Sequence, residues 1–81
     1  MSAKEMFEEL GYLENGSNEW DLTYSKDIKS NQLYTSPITI NFRKMNDETV
    51  EKYDYYGNSV PINLLELKAI NKQVEELGWN D

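Results

Sequence analysis

Asn63-Leu64-Leu65-Glu66-Leu67-Lys68-Ala69-Ile70-Asn71-Lys72-Gln73-Val74-Glu75-Glu76-Leu77-Gly78-Trp79 is the stretch whose reading decides the fold. Leu67, Ile70, Val74 and Leu77 recur at intervals of three and four residues, while Lys68, Asn71, Lys72, Glu75 and Glu76 fall between them. That spacing predicts an amphipathic helix with one apolar stripe packed on a core and one solvated face. Asn63 and Glu66 stand in the N-cap and N3 relation of a capping box, so each satisfies an amide that the first turn leaves without a partner. Gly78 supplies the left-handed residue that closes such a helix, and Trp79 is placed to fold back on the last turn.

The amino terminus repeats this grammar. Ser2 and Glu5 form a second capping box, Met6, Phe7 and Leu10 lie at helical spacing, and Gly11-Tyr12 closes the segment as Gly78-Trp79 closes the other. A short helix is predicted over about Ala3 to Leu10. The match of Phe7-Glu8-Glu9-Leu10-Gly11-Tyr12 with Val74-Glu75-Glu76-Leu77-Gly78-Trp79 is read as shared capping chemistry, not as a duplicated unit.

Between the helices the period changes to two. Glu14-Asn15-Gly16-Ser17-Asn18 reads as a turn, because Gly and Asn tolerate positive φ and Ser and Asn bond their own backbone. Trp20, Leu22 and Tyr24 then alternate with Asp21, Thr23 and Ser25, the pattern of a strand with one buried face. Lys26 to Gln32 reads as a polar turn. A second strand is predicted over Leu33 to Lys44, with Ile38, Ile40 and Phe42 on one side and Thr39, Asn41 and Arg43 on the other. Pro37 belongs at its entry, at a bulge or on an unpaired edge, because proline donates no ladder hydrogen bond. Asn46-Asp47 turns the chain into a third strand over Glu48 to Tyr56, whose facing the pattern leaves open. The expected fold is α+β and occupies residues 1–81 as a single domain. It consists of an N-terminal helix, a three-stranded antiparallel meander and a C-terminal amphipathic helix packed on the sheet. A chain of 81 residues removes only about 60 to 65% of its unfolded surface from water and does not divide that into two cores.

Eight Lys and Arg against fifteen Asp and Glu give a net charge of −7. Direct binding to a phosphate backbone relies on clustered cations, so direct nucleic-acid binding is not expected. An acidic surface suits a basic partner and speeds association with it. The chain has no cysteine and no histidine, which excludes disulfides, a thiol nucleophile, the common zinc ligand sets and histidine acid-base catalysis. Its glycines are scattered, with no phosphate-cradling loop. No apolar run reaches membrane-spanning length, and Met1-Ser2-Ala3-Lys4-Glu5 has no apolar signal core, so the expected compartment is the cytoplasm of the producing or infected cell.

No catalytic set, metal site or cofactor is expected. The carboxylate pairs Glu8-Glu9, Asp47-Glu48 and Glu75-Glu76 read as solvated, and Asp47-Glu48 lacks the spacing of a calcium loop. The most interface-like stretch is the tyrosine cluster Tyr53, Tyr55 and Tyr56 with interleaved acids, because tyrosine combines rigid apolar area with a polar tip. The candidate partner-binding residues are Asp47, Glu48, Glu51, Tyr53, Asp54 and Tyr56. Trp20 and Trp79 are expected in the core.

Met1 to Tyr12 and Leu64 to Trp79 resemble small phage and prophage accessory proteins of Gram-positive bacteria. The resemblance covers both ends of the chain, not the strands between, and brings no catalytic motif. It implies a non-enzymatic accessory protein that binds and inhibits a host protein with a basic surface, such as a defence nuclease of the CRISPR type. Two other readings are open: a homo-oligomeric assembly module such as a homodimer, whose Pro37-edged or tyrosine-rich strands pair between copies, and a sequestering binder of a small nucleotide, with tyrosines on the base and Arg43 or Lys44 on phosphate.

Overall fold

Two helices lie against one face of an antiparallel sheet and leave its other face open. The computed structural model describes residues 1–29, 35–45 and 47–79. The elements are α1 (Ala3–Glu9), β1 (Leu13–Ser17), β2 (Asp21–Lys29), β3 (Thr35–Arg43), β4 (Thr49–Tyr53) and α2 (Leu64–Leu77), and the strands are ordered β1-β2-β3-β4. Among the described residues no helix is long and apolar enough to cross a membrane.

Both capping boxes form. Ser2 Oγ accepts from the Glu5 amide at 3.1 Å and Asn63 Oδ1 from the Glu66 amide at 2.8 Å, with the reciprocal carboxylate bonds also present. At the opposite ends Gly11 and Gly78 have φ of 91° and 76°. The amides of Tyr12 and Trp79 then reach back to the carbonyls of Phe7 and Val74 at 3.0 and 3.1 Å. This six-to-one closure drives each following aromatic ring inward. Tyr12 is fully buried, and Trp79 packs half-buried 6.3 Å from the Phe42 ring.

The sheet has four strands where the sequence pattern predicts three. Leu13–Ser17, expected as loop and turn, pairs with β2 through a register shift between Glu14 and Gly16. Every side chain of β1 is exposed, so burial imposes no period on this strand. Its backbone pairs with β2 all the same, and the bulge absorbs the Asn-Gly step. The turn moves on to Asn18, whose Oδ1 accepts from the amides of Trp20 and Asp21 at 2.8 and 2.9 Å. Trp20 therefore sits on a turn ahead of β2 and is 54% exposed, against the expectation that it is core.

β2 and β3 pair without interruption from Asp21↔Arg43 to Lys29↔Thr35. Lys26 to Lys29 thus continue a strand where the expected turn was to begin; the rest of that turn, residues 30–32, and Leu33, Tyr34 and Asn46 lie outside the described residues. Pro37 sits opposite Asp27, beyond Thr39, where β4 ends, so β3 has a neighbouring strand only on its β2 side there. β4 is shorter than predicted because the chain turns at Asp54, whose amide donates to Asn58 and whose carbonyl accepts from Gly57.

The core is aromatic at its centre. Phe7 stacks on Tyr24 at 4.1 Å between centroids and meets Tyr12 and Phe42 edge-on at 5.8 and 6.1 Å. Leu22, Ile38, Ile40, Ala69 and Ile70 surround these rings. Phe7→Ala is expected to lower the unfolding free energy by about 3–5 kcal/mol, whereas Trp20→Ala changes it by about 0.5 kcal/mol or less. Urea denaturation followed by circular dichroism distinguishes the two.

Candidate functional site

α2 packs on the core through three residues of the expected stripe, Ile70, Val74 and Leu77, but not through Leu67. Leu67 is 44% exposed, and the residues buried against the core are Glu66, Ala69, Ile70 and Gln73. Polar chemistry under the helix explains why Glu66 and Gln73 are buried while Leu67 is not. Gln73 Oε1 accepts from the Tyr24 hydroxyl at 2.7 Å. Glu66, 1% exposed, accepts from the Tyr12 hydroxyl at 2.6 Å on one oxygen. Its other oxygen accepts from Lys52 Nζ at 2.7 Å and from the Asn63 amide at 3.0 Å. Lys52 donates again to the Pro61 carbonyl at 2.8 Å, and Lys26 Nζ stands 4.6 Å over the Tyr12 ring. A buried carboxylate is tolerable only when paired and hydrogen-bonded in this way. Glu76, exposed as expected, also accepts from the Ala3 amide at 2.9 Å and ties the end of α2 to the start of α1.

Lys52 also settles the facing of β4. With Val50 and Lys52 turned toward the helices, opposite Phe42 and Ile40, the alternation sends Glu51 and Tyr53 to the open face. There they pair with Asn41 and Thr39. The same face carries Asp21, Thr23, Ser25 and Asp27 from β2 and Arg43 from β3. Thr23 donates to Asn41 Oδ1 at 3.0 Å and Asn41 Nδ2 to Asp21 at 3.1 Å, so a line of side-chain bonds crosses β2 and β3.

The predicted binding residues divide into separate groups. Glu51 and Tyr53 share the open face, and Asp47, on the exposed β3–β4 connection, comes within 3.8 Å of Arg43, which lies 4.0 Å from Glu51. Glu48 is exposed on that connection with φ of 46°. Asp54 is turned into its own loop, where one carboxylate oxygen accepts from the amides of Tyr56 and Asn58, each at 2.9 Å. Tyr55 and Tyr56 project from that loop as an exposed edge-on pair, centroids 5.3 Å apart. Glu51 and Tyr53 also line a 420 Å³ hollow between β4 and the segment 57–62. Asp21 and Asp27 join the acidic face without having been singled out; the polar positions of the β2 alternation are the signal that marks them. Of the cations considered for phosphate, Arg43 faces Asp47 and Glu51, and Lys44 donates to the Asn18 carbonyl at 2.7 Å.

No family model, curated protein or solved structure matches the chain. Partial burial, followed by the charges of Glu51 and Asp21, raises the Tyr53 phenol above its ordinary pKa and keeps it a neutral donor. Among the described residues no cluster of three or more acidic side chains is gathered as a metal would require. The face offers carboxylates, amides, hydroxyls and one half-buried phenol.

Removing one partner of the buried pair, in Lys52→Met or Glu66→Leu, is expected to destabilise the fold by about 3–5 kcal/mol, and the double substitution to recover much of that loss, since it leaves no unpaired buried charge. Denaturant titration of the three variants measures this.

The same network sets a pH window. Burial pushes the Glu66 carboxyl up, but the bonds from Lys52, Tyr12 and Asn63 and the Lys52 charge outweigh it and hold the pKa below the usual value. A depressed folded pKa gives stability that is present above the unfolded pKa of about 4.3 and lost as pH falls through the folded value. At the alkaline end, burial first and then nearby carboxylates push Tyr24 up to about 12, and burial with the Glu66 contact raises Tyr12. Raised phenols give stability that is complete below the unfolded value of about 10 and lost as pH climbs above it. Thermal melts across pH are expected to fall off at both ends, with a weaker acid limb in the Lys52→Met/Glu66→Leu double variant.

Proposed function

We propose that this chain is a non-catalytic binding protein that docks the open face of its sheet on a basic surface of a host protein and inhibits it. The observation that carries the reading is the one-sided sheet: helices cover one face, and the other carries Asp21, Glu51 and, at its rim, Asp47 around Arg43, with Asp27 further along β2 and Tyr53 half-buried on β4. Solvent-facing carboxylates of one sign raise the encounter rate with a cationic patch, and a tyrosine held on a rigid strand supplies contact area at small entropic cost. The exposed Tyr55–Tyr56 pair extends this surface past the end of β4.

Inhibition of a host nuclease, as the resemblance of the chain's ends to phage accessory proteins implies, is the form of the activity that this surface suits. A nuclease groove is basic because it holds phosphates, and a sheet face set with carboxylates competes for the same cations. The tagged protein is expected to retain one stoichiometric host protein from lysate at low salt and to release it as salt rises. Reversal of Glu51 and Asp27 to lysine, neither of which holds the core together, is expected to weaken that complex at least about tenfold, mainly through slower association. Equal retention by wild type and the double reversal would remove this face from consideration.

A further inference from the structure

The helix layer has an outer surface of its own, and part of it is apolar and uncovered. The first turns of α2 present Leu64 and Leu65 at 65% and 58% exposure, and Met1, ahead of α1, stands at 71%. Met1, Met6, Leu10 and Leu65 line an open groove between the helices, with Glu9 on the α1 wall and Lys68 on the α2 wall. Contiguous apolar surface with a polar rim marks an interaction site. Glu9 and Lys68 are not ion-paired with each other.

We infer that this groove is the interface of a two-fold homodimer. The argument is charge complementarity. A groove with an acidic wall on one helix and a basic wall on the other complements its own image: a two-fold axis running along the groove sets α1 of one copy over α2 of its partner. Glu9 then faces the partner's Lys68, and the reciprocal contact follows by symmetry, because an isologous interface brings each residue pair together twice. The leucine and methionine side chains of the two grooves cover one another between these contacts. With a net charge of −7 the rest of the surface repels a second copy, so association is favoured where both signs are available. This contact uses the helices, not the strands, and leaves the open sheet faces of both copies pointing outward.

Sedimentation equilibrium over a range of concentrations tests the inference, with circular dichroism confirming that each variant is folded. The wild-type mass is expected to rise toward that of two chains. Leu65→Glu is expected to remain monomeric. Glu9→Lys and Lys68→Glu, each alone, place like charges across the axis twice and are expected to weaken the dimer at least about tenfold. An equimolar mixture of these two variants is expected to recover dimerisation, since every lysine then meets a glutamate. A wild-type chain that stays monomeric up to millimolar concentration, or a mixture that associates no better than its components, overturns the inference.

Discussion

A carboxylate buried beneath a helix has to be supplied with donors, and the partners of Glu66 come from across the fold. Tyr12 reaches it from the closure of α1, Lys52 from β4 and Asn63 from the cap of α2 itself. Each partner fixes an element: the Tyr12 bond sets α1 beside α2, Lys52 sets the facing of β4, and the Asn63 bond makes one side chain serve both as helix cap and as buried ion. Lys52, through Pro61, also holds the segment that leads into α2. The open face of the sheet depends on this arrangement, because turning Lys52 inward is what turns Glu51 and Tyr53 outward.

The chain compensates for a modest apolar content by giving its tyrosines two kinds of work. Tyr12 and Tyr24 bury their rings around Phe7 and present their hydroxyls to Glu66 and Gln73. The ring contributes burial area while the hydroxyl satisfies a polar group that the helix brings inward. Tyr53, Tyr55 and Tyr56 form a gradient in the other direction, from half-buried on the sheet to exposed on the loop. Core and surface thus draw on one residue type, separated only by the direction in which each strand or closure points the ring.

The two outer surfaces of the molecule differ in kind. The open sheet face is polar, cross-linked by the Thr23–Asn41–Asp21 bonds and biased toward negative charge. The outer groove of the helix layer is apolar and carries both signs. The proposed docking on a basic partner uses the first surface and the proposed self-association the second, so the two contacts would not compete for the same residues.

Capping and periodicity were local enough to be legible in the sequence. Ser2, Glu5, Asn63, Glu66, Gly11 and Gly78 determine where the helices begin and end, because their bonds reach only a few residues along the chain. The alternation of Leu22 and Tyr24, and of Ile38, Ile40 and Phe42, likewise determined which side of β2 and β3 is core. Within the candidate site, Glu51 and Tyr53 were recognisable as a pair two residues apart, whereas the loop bonds that engage the Asp54 carboxylate were not. Tertiary structure alone decided the rest. β1 exists because the edge of β2 offers it hydrogen bonds, although its side chains bury nothing. Trp20 is exposed because the Asn18 turn takes it out of the strand. α2 buries Glu66 and Gln73 beside Ile70, Val74 and Leu77 and leaves Leu67 exposed, because Tyr12, Tyr24 and Lys52, distant in sequence, bring donors that Glu66 and Gln73 accept, and a buried polar group left without its partner is more costly than a leucine left in water.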